Sequence, residues 1–172
     1  GSGLVSRRQV HALLGHRLDQ DEWQWECHLD TLRAPAYAEH CMGGQAILPA
    51  AGYVEMALAA SFELDPAAAR EIEDLEIRAP LALSARHSQT VRLLLDPASG
   101  NFTIKSRERL SNDAWRVHAT GRLTANAGHA NAALARFALP TTRLPISAQT
   151  HYRLATQAGL DYGPAFRAVA EA

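Results

Sequence analysis

The sequence predicts an α+β domain in which an antiparallel sheet wraps around one buried helix. The first observation is an apolar stretch at residues 49–62, rich in helix formers, in which Glu55 is the one charged residue. The second is a set of four strand-like runs between residues 71 and 123, separated by turn signals. A further alternating run precedes the helix. A sheet curved around the helix would bury it as its composition demands.

Length and charge limit the classes of function. The chain has 172 residues, enough for one ordinary domain with a hydrophobic core. The net charge of −1 offers no electrostatic argument for binding nucleic acid or an anionic membrane. No signal peptide or membrane span is visible, and we expect a cytoplasmic protein. Cys27 and Cys41 could form a disulfide, but two thiols in a chain of this size fit a reducing compartment at least as well.

The chain before the helix predicts one clear strand. Residues 23–29 alternate large and polar side chains, which is the period of a half-buried strand. The large side chains on the packed face are Trp23, Trp25, Cys27 and Leu29. Residues 4–18 contain a small apolar group broken at Gly15 and predict a short strand or turn. Residues 32–39 predict a loop.

The helix is predicted to begin at Pro49, because proline is favoured in the first turn of a helix. Its residues are apolar around nearly the whole circumference, so we expect it to be buried on nearly every side. At roughly 13 residues it is too short to span a bilayer. Asp65 and Pro66 follow as a signal that ends the helix.

The strands after the helix are predicted at residues 71–83, 90–95, 101–109 and 114–123. The last three have short connections, which indicates an antiparallel meander. Along them one set of alternating side chains should pack and the other should face water. The packed set is Phe102, Ile104, Ser106, Trp115, Val117 and Ala119. All three tryptophans of the chain are therefore expected in the core.

Hydrophobic periodicity is lost at residues 125–150, where Ala, Asn, Gly, Thr and Pro dominate. This composition predicts a linker, and the alternative is a poorly ordered insertion. Residues 151–159 predict a short helix closed by Gly159.

The most informative local arrangement is a histidine, His40, shortly before the N-terminus of an apolar helix. The free N–H groups of a helix N-terminus can hold a polarised carbonyl oxygen. A histidine beside them could remove a proton from a carbon acidified by that carbonyl. The alternative is that His40 is a core or turn histidine and that the neighbouring glycines only serve the turn.

His40, Gly44 and Pro49 fit the pattern H-x-x-x-G-x-x-x-x-P without a gap. Five further segments of the chain accompany this pattern. They are HALLGHRL at 11–18, APAYAEH at 34–40, IEDLEIRAPLAL at 72–83, WRVHATGRL at 115–123 and LDYGPAFRAV at 160–169. In this order and spacing they resemble the dehydratase domains of modular type I polyketide synthases. The resemblance covers nearly the whole chain.

This resemblance implies a hotdog fold, in which a curved antiparallel sheet surrounds one helix, and in particular the N-terminal half of a double hotdog. The first unit would span residues 4–124, with a linker at 125–150 and the truncated start of the second unit at 151–172. We therefore expect a fragment of a longer domain, and the alternative is an unusual half-domain.

The resemblance also implies a reaction. Such enzymes dehydrate a β-hydroxyacyl group, held as a thioester on the phosphopantetheine arm of an acyl carrier protein, to an α,β-unsaturated thioester. His40 would be the general base, and the backbone N–H of Ala50, with Gly44 as the other candidate, would hold the thioester carbonyl oxygen. Gly44 would also let substrate approach closely, and Pro49 would fix the turn that aims the histidine.

Other residues have weaker assignments. Tyr162, Gly163 and Pro164 are candidate substrate-binding residues. Tyr162 resembles a residue near the substrate tunnel of the family, and the alternative is that it simply packs. For Gly163 and Pro164 the alternative is that they serve a turn. The acid of the family, an aspartate, would lie outside this chain, since Asp161 is not at the corresponding position. The resemblance implies no cofactor bound by the domain itself. We also expect no metal, because the adjacent residues Cys27 and His28, like His40 and Cys41, point to opposite faces of a strand and no CxxC spacing occurs.

The expected partners are an acyl carrier protein and other polyketide synthase domains. An uncovered sheet edge also predicts association with a second copy, as a homodimer, or with the missing second half. Two other functions stay open. One is a related isomerase or cyclase, and the other is a non-catalytic hotdog used for docking or dimerisation.

Overall fold

The structure, a computed structural model, describes residues 8–19, 21–125 and 147–168. The strands are β1 (His16–Arg17), β2 (Gln24–Leu29), β3 (His40–Met42), β4 (Gln45–Ala46), β5 (Arg70–Ile77), β6 (Gln89–Leu95), β7 (Asn101–Glu108), β8 (Arg116–Ala125) and β9 (Leu160–Tyr162). The helices are α1 (Ala50–Leu64) and α2 (Ala148–Gln157), with short 3-10 helices at Pro35–Glu39 and Pro164–Phe166.

Six of the strands form one antiparallel sheet in the order β1-β2-β6-β7-β8-β5. The predicted meander of the last three strands is confirmed as β6-β7-β8. A tight turn joins β6 to β7, where the N–H of Gly100 donates to the Asp96 carbonyl at 2.8 Å. Gly100 has a φ of +76°, and a Cβ there would lie 2.1 Å from the Leu123 carbonyl oxygen, so this turn requires glycine.

The hydrophobic core lies between this sheet and one face of α1, as the fold class predicts. Helix α1 is capped by Pro49 and ends before Asp65, close to both predicted ends. The fully buried side chains come from the helix and from the strands that face it. They include Trp25, Tyr53, Met56, Ala57, Ala60, Val91, Leu93 and Ile104. An antiparallel sheet packed against one apolar helix is therefore confirmed.

The expectation that α1 is buried on nearly every side is wrong within the described part of the chain. Leu58 is 42% exposed and Phe62 is 62% exposed, and Glu55 is also exposed. The small residues Ala57 and Ala60 face the sheet and are fully buried. Their small side chains let the helix approach the strands closely. The sheet covers only that side of the helix, so composition alone overestimated the burial.

The core position expected for Trp115 is also wrong, because a β-bulge changes the phase of β8. Ile104 pairs with Ala119 and Lys105 pairs with Val117, which leaves His118 as the extra residue. Residues before the bulge therefore face the opposite side from the one that strict alternation predicts. Trp25 and Ala119 are buried as expected, and Trp23 packs against the core.

Trp115 is half-buried on the outer face of the sheet, where three cations surround its ring. The guanidinium carbons of Arg92 and Arg107 lie 4.5 and 4.7 Å from the ring centroid, and the Lys105 Nζ lies 5.2 Å away. These cation–π contacts explain why a large aromatic side chain is tolerated there.

The strand predicted at residues 71–83 is shorter in the structure. Strand β5 ends at Ile77, and the chain then leaves the sheet and passes beneath the start of α1. There the Leu81 N–H donates to the buried Tyr53 hydroxyl at 3.2 Å, and the Leu48 N–H donates to the Leu81 carbonyl at 2.9 Å. Pro80 lacks the N–H that a continuing strand would use, which agrees with this break.

The segments around residue 150 are described only in part. The predicted C-terminal helix is present as α2, which begins three residues earlier, is capped by the Ser147 side chain, and is followed by Gly159 at a φ of +83°. Residues 126–146 of the predicted linker lie outside the described residues. The division into two units therefore stays a prediction. The predicted loop at 32–39 contains the 3-10 helix Pro35–Glu39.

We predict that the chain becomes less stable as the pH falls below the ordinary histidine pKa of 6.5. Burial lowers the pKa of His118 in the folded chain, so the unfolded chain binds a proton more readily. Its contribution to stability is complete above pH 6.5 and is lost as the pH falls toward the depressed folded pKa. Urea unfolding at about pH 7.5 and about pH 5.5 measures the difference.

The matched variant for this prediction is His118→Asn, which removes the titrating group. Its stability should depend less on pH than that of the parent chain. Some dependence should remain, because desolvation and the nearby Arg109 also lower the pKa of His28. An unchanged pH dependence in the variant would contradict the prediction.

Candidate active site

His40 lies at the start of a two-stranded hairpin formed by β3 and β4. Met42 pairs with Gln45 across the turn, and the two glycines between them have φ values of +57° and +77°. Two successive left-handed residues are the signature of a type I′ hairpin turn. Gly43 and Gly44 therefore serve the turn, at an exposed position where an added Cβ would contact nothing within 4 Å.

The side-chain hydrogen bond of His40 shows which ring nitrogen carries the proton when the imidazole is neutral. Its Nδ1 lies 3.1 Å from the carbonyl oxygen of Ile47, while the Ile47 N–H donates to the His40 carbonyl at 3.0 Å. Because a carbonyl oxygen only accepts, Nδ1 carries the proton in the neutral ring. The Nε2 lone pair is then left available for a proton, which is the arrangement that a general base needs.

The same hairpin leads directly into the N-terminus of α1. Pro49 is buried and caps the helix without a side-chain hydrogen bond. Ala50, the first helical residue, is exposed. Among the described residues its N–H has no hydrogen-bond acceptor, as expected for the first turn of a helix.

His40 and Ala50 line one cavity of about 310 Å³, the only one of the five described cavities that contains either residue. Its other lining residues are Met42, Ile47, Leu48, Tyr53, Ile77, Arg78, Ala79 and Pro80. The structure thus places His40 and the first residue of α1 together in the lining of a mostly apolar pocket. Gly44 does not line this pocket.

A segment far along the chain covers the other side of His40. Strand β9 pairs with β3 so that Tyr162 lies opposite His40. The ring centroids of Tyr162 and Phe166 lie 5.6 and 5.2 Å from that of the imidazole. Phe166 was not among the predicted site residues, although the Tyr-Gly-Pro-x-Phe element around it pointed to this segment.

Glu39 holds this covering segment in place and was also missed by the sequence analysis. Its carbonyl accepts from the Gly163 N–H at 2.7 Å, and its Oε2 accepts from the Ala165 N–H at 2.5 Å. A Cβ on Gly163 would lie 2.5 Å from the Glu39 Cβ, so glycine permits this close approach. Pro164 begins the short 3-10 helix that carries Phe166.

Replacing Glu39 by leucine should loosen residues 160–166, because the Ala165 N–H loses its acceptor. We expect a loss of about 1 kcal/mol in local stability, or about fivefold faster amide exchange at Gly163. Hydrogen exchange followed by NMR measures this rate. Glu39→Gln keeps an acceptor oxygen and should retain most of the protection, so equal effects of the two variants would contradict the role of the side-chain bond.

Four other polar residues do not line this pocket, namely Glu55, Asp161, Cys27 and Cys41. The exposed Glu55 carboxylate forms a hydrogen bond with the His11 Nε2 at 3.1 Å. Asp161 pairs with Cys41 across β3 and β9. Cys27 and Cys41 are both free thiols, and burial raises the pKa of Cys27 to about 12. The described residues contain no group of three metal-ligating side chains and no helix able to span a membrane.

Comparisons with known proteins decide the family. The model of the polyketide synthase dehydratase domain matches residues 11–109, which is more than half of the chain. The chain belongs to this family. Polyketide synthase GfsB of Streptomyces halstedii is 30% identical over 91% of the chain. The mycoketide-CoA synthase of Mycobacterium tuberculosis is 32% identical over 76% of the chain.

Solved structures of polyketide synthase dehydratase domains share the fold. The dehydratase domain from the terminal module of the rifamycin polyketide synthase has a TM-score of 0.75 and 28% identity, and the match covers 96% of this chain and 60% of that one. The dehydratase domain from the CurK module of the curacin polyketide synthase has a TM-score of 0.73 and 22% identity, covering 94% and 59%. These relatives confirm the hotdog fold.

The chain spans only a small part of its curated relatives. It covers 3% of the length of GfsB and 3% of the length of the mycoketide-CoA synthase. We therefore assign the activities of those whole proteins to this chain only as proposals.

Proposed function

We propose that this polyketide synthase dehydratase domain removes water from a β-hydroxyacyl thioester and that His40 is its general base. The observation that carries the proposal is the hydrogen bond from Nδ1 to the Ile47 carbonyl. It fixes the neutral tautomer whose Nε2 accepts a proton, at the wall of a pocket shared with the helix N-terminus. A base beside an oxyanion-stabilising donor is what removal of an α-proton requires.

In the proposed reaction the Nε2 of His40 takes the α-proton, and the electron pair of that C–H bond forms the α,β double bond. The Ala50 N–H donates to the thioester carbonyl oxygen, where negative charge develops. The β C–O bond breaks, and the leaving hydroxyl takes a proton from an acid to give water. No described residue of this pocket is assigned as that acid, and we propose that a carboxylic acid outside the described residues supplies it.

The remaining predicted residues would position His40 and shield it from water. Pro49 sets the start of α1 beside His40, while Gly44 shapes the hairpin that carries the histidine. Tyr162 and Phe166 cover the imidazole and would keep water from it. Gly163 and Pro164 give the chain the turn that brings Phe166 back over His40.

Structures of a relative support the pairing of a histidine with a carboxylate. One CurK dehydratase structure carries a histidine-to-phenylalanine replacement and another an aspartate-to-asparagine replacement, and both are described as inactive mutants. These two matches are 23% and 22% identical to this chain. The support therefore concerns the type of residue and not its position here.

We also propose the partners of the domain. The substrate would arrive on the phosphopantetheine arm of an acyl carrier protein, within a cytoplasmic polyketide synthase of many domains. Association with a second copy or with the second hotdog unit would pair the free edges of the sheet. It would also bury the exposed side chains of Leu58 and Phe62. The great length of the curated relatives supports a multidomain context.

The test is a dehydration assay with a 3-hydroxyacyl thioester on a carrier protein, followed by mass spectrometry for the loss of one water. The assay is run on this chain and on the full natural protein. Conversion to the unsaturated thioester by either one supports the proposal. A well-folded full protein that only moves a double bond or closes a ring would replace dehydration by isomerisation or cyclisation.

A further inference from the structure

Strand β8 contributes one buried histidine to the support of the pocket. His118 is 3% exposed and occupies the bulge position of β8. Its carbonyl oxygen accepts from the N–H groups of Arg78 and Ala79 at 2.8 and 3.4 Å. Its side-chain Nδ1 lies 3.1 Å from the Ala79 carbonyl. A single residue thus binds both the N–H and the C=O of Ala79.

The position of the bulge makes these contacts possible. With strict alternation, the side chain of His118 would point away from the face that carries Ile104. The extra residue turns it inward, so that its Nε2 lies 2.8 Å from the Oγ of Ser106. Since Nδ1 faces a carbonyl, it carries the proton, and Nε2 accepts from the Ser106 hydroxyl.

The residues held by His118 form a wall of the pocket that contains His40. Arg78, Ala79 and Pro80 line the same cavity as His40. Residues 78–80 lie outside any strand, because β5 ends at Ile77. The wall therefore lacks ladder hydrogen bonds of its own and depends on bonds from neighbouring elements.

We propose that His118, oriented by Ser106, is a positioning residue that holds residues 78–80 as the pocket wall facing the acyl group of the substrate. This inference rests on the proposed function. The wall side chains contact the acyl group away from the reacting carbon atoms, so a loosened wall weakens substrate binding more than it slows proton transfer. His118 itself touches no reacting atom.

The competing explanation is that His118 only stabilises the sheet and does not position the pocket wall. A buried histidine with two side-chain hydrogen bonds would stabilise the sheet in either case. Two variants separate the explanations. His118→Leu keeps an apolar side chain of similar size but donates no hydrogen bond to Ala79. His118→Asn places an amide N–H near the position of Nδ1 and restores that donor. His87→Asn, at an exposed histidine paired with Glu108, is the matched control.

The first measurement is amide hydrogen exchange at Arg78 and Ala79 in this chain. His118→Leu should exchange about fivefold faster at both amides, and His118→Asn should stay within about twofold of the parent. The second is steady-state dehydration by the full natural protein. There His118→Leu should raise KM about fivefold with a smaller change in kcat, and His118→Asn should restore KM.

The results distinguish this inference from the proposed function. A parent protein that folds but does not dehydrate refutes the proposed function, and the exchange data then decide whether His118 holds the wall. Unchanged exchange in His118→Leu overturns the inference whatever the activity. It is also overturned if His118→Asn is as impaired as His118→Leu, or if kcat falls while KM stays constant.

Discussion

Replacement of His40 by alanine should lower the dehydration rate by about a thousandfold, within the range that general acid–base catalysis contributes. The Nε2 of His40 is the proton acceptor of the proposed reaction, and no other histidine among the described residues lines its pocket. The fold should survive the change, because the imidazole is only half-buried and makes one side-chain hydrogen bond. Mass spectrometry of the thioester product measures the rate in the full natural protein.

The matched control for His40 is His87→Ala. His87 lies on the surface with 61% of its side chain exposed and pairs with Glu108. Its replacement should leave the rate unchanged. Unfolding midpoints of both variants close to that of the parent would exclude loss of folding as the cause. A His40→Ala protein that keeps more than about a tenth of the parent rate would show that another group removes the proton.

The second large effect concerns the packing of α1. Ala57→Asp should prevent stable folding of this chain, at a cost of about 3 kcal/mol or more. Ala57 is 0% exposed and belongs to a core cluster of buried apolar side chains. A carboxylate there would lose its hydration without gaining a partner.

Leu58→Asp is the control for Ala57→Asp, because it places the same side chain one residue further along the same helix. Leu58 is 42% exposed, so an aspartate at this position stays in contact with water. We expect a change within about 1 kcal/mol in this chain, measured by urea unfolding. Similar destabilisation by both variants would mean that α1 is buried on both sides and that its described orientation is wrong.

Local patterns in the sequence were sufficient for the main elements of the fold. The alternation in residues 23–29 predicted β2, and the apolar stretch after Pro49 predicted α1. These features depend on neighbours one to four residues away, so they are visible in the chain itself. The pattern around His40 was informative for the same reason, since the glycine turn and the helix start are both local.

Tertiary structure decided the features that depend on distant partners. The bulge at His118 moved Trp115 out of the core and turned a histidine toward the pocket wall, and no local pattern distinguishes a bulged from a regular strand. The exposure of Leu58 depended on which side of α1 the sheet covers.

For the candidate active site, the sequence by itself determined the histidine, the glycine turn that follows it and the helix N-terminus beside it. Only the tertiary structure brought Phe166 over His40 and placed Glu39 against Ala165, across 126 residues of chain. It also joined residues 78–80, which line the pocket, to His118. The physical reason is that backbone turns follow from adjacent residues, whereas a pocket needs contacts between distant residues that exist only after the sheet has packed against α1.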